Sequence, residues 1–151
     1  MTKLKITFPN GFVALASVLE KEEPECTAAM LDRLKDGPAN YACYHTISTG
    51  CWFTAYPRPP KHPVASGSQV DPLGRKPIKI CDVETGEIVS KGWSFSIAWG
   101  FCSEAVPGGG PVVAKVDPEY MDGFVAASRD VWYHDYLYHK LAVLTVEKVE
   151  G

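Results

Sequence analysis

Apolar and polar residues alternate most clearly in Tyr41–Pro57, which reads YACYHTISTGCWFTAYP. The alternation predicts a strand through Ile47, a break at Gly50 and an aromatic continuation at Trp52, Phe53 and Tyr56. It also places a lone imidazole, His45, among aromatic rings. Upstream, Leu4–Phe8 alternates and stops at Pro9-Asn10-Gly11, the kind of turn that closes a hairpin. Its predicted partner, Phe12–Leu19, is apolar on both faces, as expected of a covered strand. Glu22-Glu23-Pro24 reads as a helix start, with acidic residues at the positive end of the dipole and proline in the first turn. Thr27, Met30, Leu31 and Leu34 then recur at helical spacing until Gly37-Pro38.

The second half is read in the same way. Ile78–Cys81 and Glu87–Val89 flank a turn at Asp82–Gly86 and predict a hairpin. Trp93–Phe101 alternates with Trp93, Phe95, Ile97 and Trp99 on one face. Val106–Pro111 is a glycine-rich loop without the Lys-Ser/Thr pair of a phosphate loop, and Val112–Val116 is a short strand. Asp117-Pro118-Glu119 opens a second helix, with Asp117 expected as its cap. Met121, Phe124, Val125, Ser128, Val131 and Trp132 form the stripe of that helix, and Leu141–Val149 is a closing strand. Pro57–Pro77, with His62 inside it, shows no periodicity and reads as a lid or a disordered insertion.

Seven or eight strands with two helices far apart in sequence argue against a parallel, doubly wound sheet. The expected fold is mainly β: a closed antiparallel barrel capped by two α-helices, since closure removes unpaired edges. At 151 residues the chain fits a single domain, 1–151. A net charge of −3 and scattered basic residues give no reason to expect nucleic acid or an anionic membrane surface as partner. The start lacks a signal-peptide pattern and no apolar run spans a bilayer, so a cytoplasmic protein is expected. Five cysteines without C-x-x-C spacing read as small buried hydrophobes, Cys51 being the expected exception.

Several short segments carry a resemblance. Pro24-Glu25-Cys26-Thr27-Ala28-Ala29-Met30 is similar to the opening of the first cyclophilin helix, with Cys26 and Met30 replacing its Thr and Phe. Tyr44-His45, Gly50 and Trp99-Gly100 leading into Gly108-Gly109-Gly110 add to it. The chain thus resembles the cyclophilin-like barrel, and within it a bacterial family of small cyclophilin-like proteins of uncharacterised function. Tyr44-His45-Thr46-Ile47 resembles the Phe-His-Arg segment of the prolyl isomerases, whose arginine polarises the prolyl amide. Thr46 stands at the arginine's place, and a short neutral hydroxyl makes no forked contact with a carbonyl. Prolyl isomerisation is therefore the least favoured activity.

The expected pocket lies between the Tyr41–Tyr56 strands, the Trp99–Glu104 strand end and the Pro57–Pro77 loop. His45 and Glu104 are the candidate proton-transfer groups: an imidazole titrates near neutrality, and a carboxylate among aromatics can be raised toward it. Tyr44, Trp52, Trp99 and Phe101 are candidate walls. Lys115 either points outward or clamps a substrate carboxylate, and Cys51 is the one plausible covalent nucleophile. No cofactor motif is present. His134 and His139, five apart, share no helix face, so no metal site is expected. The aromatic run Trp132–Lys140 reads as a subunit interface and suggests a homo-oligomer. Two function classes follow. One is a small-molecule binder, or an enzyme doing acid–base chemistry on a carbonyl or amine metabolite. The other is a non-catalytic domain that oligomerises or binds a partner.

Overall fold

A computed structural model describes residues 1–59, 61, 78–91 and 94–151. The elements run β1 (Thr2–Thr7), β2 (Val13–Val18), α1 (Pro24–Asp32), β3 (Ala39–His45), β4 (Gly50–Tyr56), β5 (Glu87–Lys91), β6 (Ser94–Cys102), β7 (Val112–Val116), α2 (Met121–Tyr133) and β8 (Ala142–Glu150). The strands close into an antiparallel barrel in the order β1-β2-β7-β5-β6-β4-β3-β8, with β8 returning to β1. The expected mainly β barrel with two helices is what the chain forms. Most of the 57–77 loop, His62 included, and Trp93 lie outside the described residues.

Side-chain alternation builds the interior. Leu4 and Ile6, Tyr41 and Cys43, Phe95 and Ile97, and Leu144 and Val146 point into one core. Cys26, Met30 and Leu34 from the α1 region and Phe124, Ala127 and Val131 from α2 join that same core, so both helices close over the barrel rather than stand beside it. A second, smaller cluster forms outside the wall, where Trp52, Val89, Ala98 and Cys102 are covered by Ile80 and Val83. Among the described residues, no helix is long and apolar enough to cross a membrane.

Three local expectations are corrected. Ile78–Cys81 is not a hairpin strand. Both edges of β5 are taken, by β6 and β7, so this segment has no ladder to join. It winds into a 3-10 turn at Ile80–Asp82, and its Ile80 and Cys81 amides donate to the carbonyls of Val106 and Glu104. Asp117 does not cap α2 with its side chain. Its carboxylate instead takes Lys3 Nζ at 2.5 Å and Ser17 Oγ at 2.6 Å, tying β1 and β2 to the entry of the helix. Burial alone would push that carboxyl up, but the bonds from Lys3 and Ser17 hold it below its ordinary pKa. Among the cysteines, Cys81 rather than Cys51 is the exposed one, while Cys51 is half-buried.

Candidate functional site

His45 is the last residue of β3 and faces the barrel interior opposite Phe53 of β4. Its ring is 6% exposed as a residue and both nitrogens are engaged. Trp99 Nε1–H donates to His45 Nε2 at 2.9 Å, so that nitrogen holds a lone pair. Nδ1 lies 2.6 Å from the Thr46 carbonyl, which accepts a proton and donates none. The pattern assigns a neutral imidazole protonated at Nδ1. Edge-on aromatic neighbours enclose it: Trp132 at 4.7 Å and Trp99 at 5.7 Å between centroids.

The backbone of His45 is held as firmly. After α2 the chain continues as a π-helical turn, His134–Tyr138, and leaves it through His139 in the left-handed region. Asp135 Oδ2 accepts the His45 amide at 2.7 Å, and Tyr136 OH donates to the His45 carbonyl at 2.8 Å. A π turn often marks a functional site. Here it brackets the end of β3 with a carboxylate and a phenol. Trp132 and Tyr136, read from the sequence as part of a subunit contact, pack against each other at 4.2 Å between centroids and meet His45 edge to face. Leu137 and Tyr138 are the exposed large hydrophobics of that run, and His139 and Lys140 are exposed beside them.

Burial lowers the pKa of His45, partly offset by the Thr46 carbonyl and the Asp135 charge. The folded value thus lies below the ordinary 6.5. As pH falls, the unfolded chain takes up the proton first. The His45 contribution to stability is therefore complete above about pH 6.5 and is lost as pH drops through that value toward the folded pKa. The urea midpoint should fall between pH 7.5 and 5.5, and His45→Gln, which does not titrate, should flatten that slope.

A cavity of about 230 Å³ opens at this end of the barrel, lined by His45, Ile47, Gly50, Cys51, Trp99 and Trp132. Its walls are three aromatic rings and a thiol. Burial raises the Cys51 pKa against smaller opposing effects from Arg129 and the Phe101 backbone, which keeps the sulfur protonated and poorly nucleophilic. Gly50 shapes the rim through a β-bulge, at φ +95°. A larger groove of about 550 Å³ runs along the outer wall past Ala42, Tyr44, Tyr56 and Val143. Size does not make it the better candidate, since the buried imidazole lies in the smaller cavity.

Of the residues expected at the site, His45, Trp99 and Cys51 meet at this cavity; the others do not. Tyr44 follows the strand alternation to the opposite face, where its ring meets Tyr56 at 5.6 Å. Trp52 points outward into the second cluster, across the bulge from the cavity. Phe101 is 81% exposed at the end of β6. Glu104 lies in the loop beyond, its carbonyl occupied by the Cys81 amide. Lys115 points outward, 3.7 Å from Glu87 and 3.9 Å from Glu84. The expected break in β3 also moves: the strand ends at His45, and Ile47 sits exposed in the turn that follows. Sequence reasoning missed Trp132, Gly50 and Asp135 as site residues. For Trp132 the signal was its place at the end of the α2 stripe, beyond the last fully buried position. Among the described residues, no group of three or more His, Cys, Asp or Glu is arranged to hold a metal ion.

No protein-family model matches the chain, and no curated protein matches it. Among solved structures, McbB in complex with tryptophan superposes with a TM-score of 0.77 at 18% identity, over 95% of this chain and 44% of the McbB chain. The chain therefore spans less than half the length of McbB. At that identity the likeness is one of architecture: this chain and part of McbB share a fold.

Proposed function

We propose that the protein binds a small, largely apolar metabolite in the cavity between His45, Trp99 and Trp132. The observation that carries this reading is the cavity itself, apolar and walled by rings whose orientation is set by the Trp99–His45 hydrogen bond. Sites for drug-sized ligands occupy roughly 300–1,000 Å³, so a cavity of about 230 Å³ suits a small molecule. Binding is favoured over acid–base catalysis. For His45 to move a proton, its bond to Trp99 or to the Thr46 carbonyl must first break, and Glu104 stands outside the cavity. Prolyl isomerisation gains nothing, because the Thr46 hydroxyl donates to the Trp52 carbonyl and carries no charge. The cyclophilin-like assignment and the cytoplasmic setting expected from the sequence belong to this proposal.

McbB is bound to tryptophan, which makes indole and tryptophan the first probes. Indole at saturating concentration should raise the melting temperature, since a ligand at about 100 times its Kd adds about 2.7 kcal/mol. Trp132→Ala should abolish the rise, measured against its own ligand-free baseline. An aromatic panel that leaves the wild-type transition unmoved would refute the reading.

A second reading, a non-catalytic domain that assembles with copies of itself, rests on the outer wall of β8, β3 and β4. Tyr44, Tyr56 and Val143 are exposed there along the larger groove.

A further inference from the structure

The cavity is apolar inside, and a cation stands one helical turn from one of its walls. Arg129 lies three residues before Trp132 on α2, so the two side chains neighbour each other on the same flank of the helix. Arg129 is exposed and makes no ion pair with a described residue. Its charge reaches the Cys51 thiol, which lines the cavity. The nearby carboxylates already have hydrogen-bond or close-contact partners of their own. Asp135 accepts the His45 amide, and Asp130 lies 3.4 Å from His134 Nδ1. His45 is neutral, with both nitrogens bonded. A ligand entering this box thus finds rings to stack on and, one helical turn from Trp132, a guanidinium as a polar partner.

We propose that the cavity selects aromatic carboxylates: the ring enters between Trp99 and Trp132, and the carboxylate meets Arg129 at the rim. This rests on the binding reading above and adds the class of ligand. A guanidinium presents a planar fork of donors matched to a carboxylate, and it repels an ammonium at the same place. A neutral aromatic would gain the stacking alone.

Three probes share one ring: indole, indole-3-acetate and tryptamine, each titrated calorimetrically at low salt. Indole-3-acetate should bind about fivefold more tightly than tryptamine, as a partly exposed charge pair allows. Raising the salt to about 0.5 M should narrow that ratio, because the contact lies at the rim. Arg129→Gln, at an exposed helix position, should bring the two constants together while leaving indole binding intact. Equal affinities in the wild type, a preference for tryptamine, or a ratio that survives Arg129→Gln would each overturn the inference. If indole still binds in those cases, only the ligand class is lost. If none of the three binds and Trp132→Ala changes nothing, the binding reading falls with it.

Discussion

Replacing His45 by alanine should destabilise the protein by about 3 kcal/mol, the cost of emptying a buried aromatic position and orphaning a donor. The ring contacts Trp132, Trp99, Phe53 and Tyr136 at once, and Trp99 Nε1–H has Nε2 as its acceptor. Trp99 is only 9% exposed, so water does not readily replace that acceptor. For a chain of this length the melting temperature should fall by roughly 10 °C. Tyr44→Ala, one residue earlier on the outer face, should cost less than about 1 kcal/mol. Paired unfolding curves check both. Equal effects would mean that His45 does not hold this end of the barrel together.

Gly50→Ala should be nearly as damaging, through the backbone rather than a side chain. At φ +95° any L side chain is strained, at about 1–2 kcal/mol. A Cβ there would also lie 2.4 Å from the Phe101 carbonyl oxygen, which belongs to the neighbouring strand and cannot swing aside. The clash adds about 1–3 kcal/mol, as overpacking does elsewhere. Gly11→Ala is the control. Its φ is +88° with nothing within 4 Å of the added carbon, so it carries the conformational strain alone. Because Gly50 lines the cavity, its alanine variant should also lose indole binding, whereas Gly11→Ala should keep it. Denaturant midpoints and one titration separate the two effects.

The site was only half legible in the sequence. An imidazole inside an alternating aromatic strand marked His45 as unusual, and the alternation of Phe95, Ile97 and Trp99 put Trp99 on an inward face. Tyr44 was lost to the same rule, because adjacent strand residues face opposite ways. Trp52 was lost in the same way, beside the inward Phe53. Cys51, Phe53 and Ala55 pack on the main core, so Trp52 between them turns to the second cluster. Asp135 and Trp132 come from the far end of the chain, about ninety residues after His45, and no local pattern ties them to β3.

Local pattern determined the elements: where apolar residues recur every second or every third to fourth position, strands and helices formed close to the expected bounds. It also determined closure in outline, because so many strands with two distant helices leave few other ways to cover their edges. The tertiary structure alone decided the chemistry. Whether His45 is a base or a wall depends on what its two nitrogens meet, and those partners are Trp99 from across the barrel and the carbonyl of the next residue. Contacts between residues distant in sequence follow from strand order and register, and alternation along one strand carries no record of either.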